Sequence, residues 1–472
     1  MRPSAGDAIT QRYRVDRGPR AGRTADDATP DAIRRRRPTT PPTTPTTPTA
    51  GSGAKQEGAE RPMPVAAPIA SFERAGRPTP GSPFEVFRVA LLLGLTSFGG
   101  PIAHLGYFHR EYVERRRWLP EATYLDLVTL SQFLPGPASS QVGIGVGLIR
   151  AGYAGALAAW LGFTLPSAVL MTAFALLTAG VDVSGAGWVH GLKLAAVAIV
   201  ATAVLSMWRS LAPDRPRQTI ALAAAAAILV APTAALQIVV IVAGGLLGWR
   251  FLGDLPVPDV GDARSPVSRR VGIAALATFG AILVGLPLLA TVARLEALAV
   301  VDSFYRAGAL VFGGGHVVLP LLYESVVEPG WVSAEQFLAG YGAAQALPGP
   351  LFTFAAFLGA SLGPQPNGVP GAVVALIAIF LPSFLLVVGA FPFWERLRRS
   401  PAFRGALGGT NAAVVGLLLA ALYQPVWTSA VAGPLDVALV VVAFGALVVW
   451  NAPPWLAVLF LALAAELVSV VA

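Results

Sequence analysis

Gln-Phe-Leu-Pro-Gly-Pro at residues 132–137 returns as Gln-Ala-Leu-Pro-Gly-Pro at residues 345–350, an offset of 213. Phe-Gly-Gly-Pro at 98–101 has a counterpart in Phe-Gly-Gly-Gly at 312–315, and a histidine follows each. Further pairs keep the same order: Trp118 and Trp331, then Leu-Pro-Ser at 165–167 and at 381–383. Several motifs in one order at a nearly constant offset predict an internal duplication.

The composition is typical of a membrane protein. Of the 472 residues, 55% are hydrophobic and 13% are charged, whereas soluble domains hold about 25% charged residues. Apolar runs of about 20 residues recur along the chain, and each is long enough to cross the hydrocarbon core of a bilayer. We predict an all-α polytopic membrane protein, built from two homologous halves with about 13 apolar segments.

The predicted domains follow the repeats and the charge distribution. Residues 1–80 are rich in Arg, Pro and Thr and contain 13 Arg and one Lys against eight acidic residues. Such a segment has too little apolar content to form a core, so we predict a disordered tail. The two repeats are placed at 84–252 and 299–472, and the linker 253–298 carries one extra transmembrane helix.

The extra crossing predicts that the two halves are inverted relative to each other. Lys and Arg favour the cytoplasmic side of a membrane. The loop after the first Phe-Gly-Gly motif is basic, whereas its counterpart carries only Glu324 and Glu328. Conversely, the loop at 180–190 has no Lys or Arg, and its counterpart is basic. The basic residues are Arg110 and Arg115–Arg117 in the first half, and Arg396, Arg398, Arg399 and Arg404 in the second. The excess of basic residues thus follows the Phe-Gly-Gly motif in the first half and lies in the opposite loop in the second half, as inverted repeats require.

Two topologies fit the apolar runs. If every run spans the bilayer, the chain crosses 13 times. In the alternative, four segments are re-entrant hairpins that break at Gly-Gly-Pro, Leu-Pro-Gly-Pro or their counterparts. They are 84–108, 122–150, 298–323 and 335–363. The hairpin topology satisfies the charge rule better and is preferred, and the halves are inverted in both topologies.

The broken helices predict a binding site near the middle of the membrane. Gly and Pro are poor helix residues, and backbone groups freed inside a membrane must face protein or a water-filled cavity. Breaks at matching positions of inverted halves indicate a substrate site. Helix N-termini carry a partial positive charge and free N–H groups that suit anions. The alternative for each single break is a packing kink.

The candidate substrate-binding residues lie in or beside these breaks. The first half contributes Gly99, Gly100, His104, Gln132, Pro135, Gly136, Ser139 and Ser140; the second contributes Gly313, Gly314, His316, Gln345, Pro348, Gly349 and Thr353. The two histidines could carry a proton, or could only cap and pack. The two glutamines could contact substrate or hydrogen-bond between helices.

Three ionisable residues interrupt apolar runs outside these motifs. Lys193 is either functional or extends its ammonium group to the membrane surface, and Asp302 and Arg306 could pair with each other. The chain has no cysteine and no GxxxxGK[ST], GxSxG or HExxH motif. We therefore predict no enzymatic activity, no catalytic residue, no metal, no cofactor and no nucleic-acid partner.

The ordered pairs Phe-Gly-Gly, Gln-x-Leu-Pro-Gly-Pro, Trp and Leu-Pro-Ser resemble the two-domain chromate ion transporter family over about residues 84–472. The resemblance implies export of chromate from the bacterial cytoplasm, with sulfate as a similar oxyanion, and halves of opposite orientation. It also implies a multi-pass protein of the inner (plasma) membrane. His316 lies two residues closer to its Phe-Gly-Gly motif than His104 does, which separates this chain from a strict repeat.

The resulting hypothesis is a secondary transporter that confers chromate resistance, driven by the membrane potential or a proton gradient. Its expected partners are a small oxyanion and the lipid bilayer, and a homodimer is one possible assembly. A sulfate or other oxyanion permease is the alternative transporter. A membrane scaffold without transport, in which the breaks are purely structural, is the alternative from another class.

Overall fold

In the computed structural model of the chain, the described residues are 81–179, 186–253, 265–312 and 315–471. They form helices joined by short connections, and no strand occurs within these ranges. The prediction of an all-α membrane protein is therefore confirmed. The predicted disordered tail, residues 1–80, lies outside the described residues.

The helices are numbered here in chain order and grouped by the predicted first repeat, linker and second repeat, which keep these names below. The first repeat contributes α1 (Pro83–Thr96), α2 (Gly100–Phe108), α3 (Glu121–Phe133), α4 (Ala138–Thr178), α5 (Gly187–Leu211), α6 (Arg215–Val230) and α7 (Ala234–Phe251). The linker contributes α8 (Arg269–Ala293). The second repeat contributes α9 (Glu296–Leu310), α10 (Val318–Val326), α11 (Ala334–Ala346), α12 (Phe354–Ser361), α13 (Gly368–Ala390), α14 (Trp394–Arg399), α15 (Pro401–Ala421), α16 (Thr428–Ala430), α17 (Pro434–Val448) and α18 (Pro454–Val471). Single turns of π- or 3-10 helix lie at His109–Arg115, Gly315–Val317, Leu351–Thr353, Phe391–Phe393 and Leu422–Trp427.

Six helical stretches of the described chain are long and apolar enough to cross a membrane. They are Ala138–Thr178, Gly187–Leu211, Arg269–Ala293, Gly368–Arg399, Pro401–Ala430 and Pro454–Val471. The first of these bends at Ala151 and Gly152, whose backbone torsions are not helical. On α8 the large side chains Val284, Leu288, Leu289 and Val292 are exposed, as expected of a helix that faces lipid.

The helices beside the Gly and Pro breaks are shorter. The longest, α9, has 15 residues, which corresponds to about 22 Å at 1.5 Å per residue. A bilayer core is about 30 Å thick, so none of α1–α3 or α9–α12 crosses it alone. The sequence explains where they end: α1 stops before Gly99, which has a φ of 99°, and α3 stops before Leu134 and Pro135.

Long helices of one repeat pack against helices of the other. Helix α5 packs against α17 and α18, and α15 packs against α6 and α7. Small residues allow these backbones to approach closely, because a Cβ added to Gly248 of α7 would lie 2.2 Å from the Gly405 carbonyl oxygen of α15. Close contact between small residues is a usual way to hold helices together in a membrane.

A buried ion pair also joins the two repeats. Arg398 Nη1 lies 3.3 Å from Asp126 Oδ1, and both side chains are at most 5% exposed. The indole of Trp394 donates to the same carboxylate oxygen over 3.4 Å. Without Asp126, the buried Arg398 would keep only the half-exposed Glu395 as a counter-charge. Removing one partner of a buried pair costs much more than the pair itself contributes.

We expect Asp126→Ala to lower the free energy of unfolding by about 3–5 kcal/mol. Thermal unfolding of the purified protein in detergent measures the loss. Glu121→Ala is the matched control, since Glu121 lies on the same helix with a side chain that is 70% exposed, and we expect a change below about 1 kcal/mol. Equal stability of the two variants would contradict a structural role for the Asp126–Arg398 pair.

Candidate functional site

The helix breaks of the two repeats meet each other. The backbone N–H of Gly136 donates to the Val311 carbonyl over 2.7 Å, and the N–H of Gly349 donates to the Ser97 carbonyl over 3.0 Å. Thus the Leu-Pro-Gly-Pro glycine of each repeat bonds to the segment just before the Phe-Gly-Gly motif of the other. These two hydrogen bonds form a matched pair of junctions.

The Leu-Pro-Ser motifs lie at the same junctions. A Cβ placed on Gly349 would lie 2.8 Å from Ser167 Oγ, and one on Gly136 would lie 2.6 Å from Ser383 Oγ. Both glycines have a positive φ, 98° and 123°, which side-chain-bearing residues rarely adopt. Each junction therefore combines one glycine of one repeat with the serine and Phe-Gly-Gly segment of the other.

A cavity of about 260 Å³ opens beside the junction that contains Gly349. Five of the predicted binding residues line it, and they come from both repeats. They are Gly99, Gly100, His316, Gln345 and Gly349. Helix α5 adds Thr202 and Ser206, while much of the remaining lining is apolar.

The polar groups of this cavity suit an anion. The side-chain amide of Gln345 lies beside the hydroxyl of Tyr341, but its buried Nε2 forms no hydrogen bond of ordinary geometry. Helix α2 begins at Gly100, beside the cavity, and its N-terminus supplies free N–H groups and a partial positive charge. No Lys, Arg, Asp or Glu is among the residues that line it. Recognition here depends on neutral donors and a helix end.

The two histidines have different environments. His316 lines the cavity, and its Nδ1 lies 2.8 Å from the hydroxyl of Tyr341. His104 is 2% exposed and lies outside it. Its Nδ1 is 3.3 Å from Ser139 Oγ, and its ring packs against Phe163 with centroids 5.3 Å apart. Only His316 is thus placed to reach a ligand in this cavity.

The other candidates of the first repeat lie away from the cavity. Gln132 is exposed on α3. Ser140 is buried, and its hydroxyl has no hydrogen-bond partner. The Pro135 carbonyl accepts a hydrogen bond of 2.6 Å from Gln141 Nε2. Gly136 belongs to the second junction, where Gln141 Nε2 and Ser383 Oγ are its neighbours.

Two candidates of the second repeat support the cavity without lining it. Pro348 precedes Gly349 in the break, and the Thr353 hydroxyl donates to the Pro350 carbonyl over 2.9 Å. Gly313 and Gly314 lie outside the described residues. Their prediction as binding residues stays a prediction.

Comparison with known protein families identifies the family of this chain. The family model described as "Chromate transporter" matches residues 84–249 and 298–466. The chain belongs to the chromate transporter family. Members of this family are transporters and not enzymes, which agrees with the absence of catalytic motifs.

Individual relatives of this chromate transporter chain cover most of its two repeats. It is 31% identical over 338 residues to a "Probable chromate transport protein" of Synechococcus elongatus, which covers 70% of this chain and 81% of the relative. It is 30% identical over 342 residues to a "Chromate transport protein" of Cupriavidus metallidurans, covering 70% and 80%. A "Chromate transport protein" of Pseudomonas aeruginosa is 29% identical over 344 residues, covering 72% and 80%. No solved structure gives a significant match.

The ionisable residues of the apolar runs have clear positions in this chromate transporter. Arg306 Nη2 lies 2.5 Å from Asp302 Oδ2, which confirms the predicted pairing. Lys193 is half-buried on α5 and does not line the cavity. Neither group contributes a charge to the candidate site.

The sequence analysis missed the hydroxyls of α5. Thr202 and Ser206 are four residues apart, so they lie on one face of the helix. Two hydroxyls at this spacing inside an apolar span were the available signal. Tyr341 was also missed: it is fully buried, and its contacts with His316 and Gln345 link it to the site.

Proposed function

We propose that this protein exports chromate from the cytoplasm and that the 260 Å³ cavity is its oxyanion site. The observation that carries the proposal is the meeting of breaks from both repeats at one cavity whose polar lining is neutral. Membership of the chromate transporter family supports the substrate. Gly99, Gly100 and Gln345 supply backbone and side-chain N–H groups, and His316, Thr202 and Ser206 complete the polar lining.

A site of this kind recognises shape and negative charge more than chemical identity. Chromate and sulfate are both tetrahedral dianions, and neutral donors bind either of them. We therefore propose chromate as the physiological substrate on the strength of the related transporters. Sulfate is the expected competitor.

The membrane potential alone would favour export of a dianion. With the cytoplasm negative, moving two negative charges outward releases about 4.6 kcal/mol per 100 mV. We do not expect this chain to hydrolyse ATP, because no GxxxxGK[ST] loop occurs in the sequence. We propose a secondary transporter of the bacterial inner membrane.

We further propose that residues 84–252 and 299–472 are inverted-topology repeats joined by the linker 253–298 with its single helix. The paired junctions at Gly136 and Gly349 and the two matches of the family model support this arrangement. The short helices α1–α3 and α9–α12 support re-entrant hairpins in preference to 13 full crossings. Alternating access would then open this fixed cavity first to one side of the membrane and then to the other.

Uptake of labelled chromate into inside-out vesicles tests the proposed function. We expect saturable uptake that increases when the vesicles are energised and that decreases when sulfate is added. Vesicles without the protein provide the background. Uptake at background level, with the protein present in the membrane, would contradict chromate export.

A further inference from the structure

A second polar space lies between α7, α9 and α10, outside the candidate oxyanion site. It consists of two cavities of about 210 and 100 Å³. Gln237 of α7 and Glu324 of α10 line both. No residue of the oxyanion cavity lines either one.

Two hydrogen-bond acceptors in this space have no donor. Gln237 is 6% exposed, and its Oε1 has no hydrogen-bond partner. The Oε2 of Glu324 is also buried without a partner. Buried acceptors without partners are rare and cost free energy. Neither of these two acceptors therefore receives a hydrogen bond from the described residues.

The first repeat shows how a glutamate at the matching position is normally stabilised. Glu111 precedes Glu324 by the repeat offset of 213 residues and is also largely buried. Arg116 Nε and Arg115 Nη1 donate to its carboxylate over 2.6 and 3.1 Å. Burial raises the pKa of Glu111, but the two arginines together lower it by more. The pKa of this carboxyl group therefore lies below its ordinary value.

The second repeat has lost both of these arginines. At the same offset, Arg115 is replaced by Glu328 and Arg116 by Pro329. Glu324 therefore has an acidic neighbour one helical turn away, where Glu111 has a basic one. Burial without a counter-charge favours the neutral, protonated form of a carboxyl group.

The other charged groups around Glu324 do not replace the missing arginines. Arg306 of α9 lines the larger cavity, but Asp302 pairs with its guanidinium. Glu328 and Tyr323 line the smaller cavity from the segment of Glu324 itself. Helices α6 and α7 with the connection between them, helix α15 and the turn after it contribute only uncharged lining residues: Ile228, Pro232, Gln237, Ile238, Leu417, Ala421, Gln424 and Pro425.

We propose that Glu324 is a proton-binding site separate from the oxyanion site. Its carboxylate takes a proton from water in these cavities, and the resulting carboxylic acid becomes a donor in a space that contains the unpaired Gln237 Oε1. A metal cation suits the space less well, because the described residues contain no group of three or more His, Asp or Glu side chains that could hold a metal ion. The further step, that this proton exchange accompanies chromate export, rests on the proposed function.

Infrared titration of the full-length protein in lipid tests proton binding without chromate. We expect one protonated-carboxyl band that disappears as the pH rises through about pH 5–9. This range lies above the ordinary pKa of glutamate, about 4.3. The band should be absent in Glu324→Gln and present in Glu335→Gln, which changes an exposed glutamate of the same repeat. A band that persists in Glu324→Gln would overturn the proposal.

A second variant tests the same site without altering Glu324. Glu328→Arg restores the arginine that the first repeat has at this position, so we expect Glu324 to stay ionised and the titrating band to be lost. An unchanged band in Glu328→Arg would contradict the comparison with Glu111. A titration that shifts with sodium at constant ionic strength would replace the proton site by a metal-cation site.

Chromate flux into liposomes containing the purified protein separates the two proposals. We expect the flux to depend on pH in the wild type and to be independent of pH in Glu324→Gln. A titrating Glu324 without chromate flux would refute the proposed export but leave the proton site. Chromate flux with the same pH dependence in both proteins would refute the coupling of chromate export to the proton at Glu324, but not the proton site itself.

Discussion

Replacing Gln345 by alanine should reduce chromate transport by about 10- to 100-fold. Gln345 lines the cavity, and its Nε2 forms no hydrogen bond of ordinary geometry with the described residues, so it can donate to an anion there. A hydrogen bond to a charged group contributes about 1.5–3 kcal/mol, which corresponds to this range in affinity. Initial rates of chromate uptake at subsaturating concentration measure the effect.

Gln132→Ala is the matched control for this prediction. Gln132 occupies the same place in the first repeat's motif, but it is exposed and does not line the cavity. We expect uptake within about twofold of the wild type, since surface substitutions away from such sites have small effects. Equal losses in the two variants would show that the cavity at Gln345 is not the dominant binding site.

Replacing Gly349 by alanine should abolish most transport through a change of backbone. Gly349 has a φ of 98°, and a left-handed conformation costs a residue with a Cβ about 1–2 kcal/mol. The added Cβ would also lie 2.8 Å from Ser167 Oγ and 3.3 Å from the Phe163 carbonyl oxygen, so the Ser167 side chain or the backbone of the junction must shift. Because Gly349 lines the cavity and bonds to Ser97, this movement changes the site itself.

Chromate uptake and thermal unfolding together measure the effect of Gly349→Ala. We expect uptake to fall by more than about tenfold, and stability to fall by about 1–3 kcal/mol. Gly285→Ala is the control, because Gly285 lies on α8 with nothing within 4 Å of an added Cβ. Alanine there should leave uptake unchanged and favour the helix. Normal uptake by Gly349→Ala would mean that the junction tolerates movement.

The positions of the helix breaks could be predicted from the sequence, but the contacts between them could not. Gly and Pro act locally, so Phe-Gly-Gly and Leu-Pro-Gly-Pro indicate where α1 and α3 end. The bond from Gly136 to Val311 joins residues 175 positions apart. Such a pairing depends on how the long helices of one repeat pack on those of the other, and no local pattern encodes it.

Burial is the second property that the sequence could not supply. Gln132 and Gln345 have the same motif, yet one is exposed and the other reaches a cavity. Glu111 and Glu324 likewise share a position, and the replacements of Arg115 by Glu328 and of Arg116 by Pro329 distinguish their surroundings in the sequence. A duplicated motif predicts that a residue matters but does not predict which copy faces the ligand.

Equilibrium binding of labelled chromate to the purified protein tests most directly whether the cavity between the two repeats holds an oxyanion. The structure predicts saturable binding of one chromate per chain at this site, competition by sulfate, and loss of binding in Gln345→Ala but not in Gln132→Ala. Binding that is unaffected by Gln345→Ala, in protein that remains folded, would contradict the account and place the oxyanion site elsewhere in the chain.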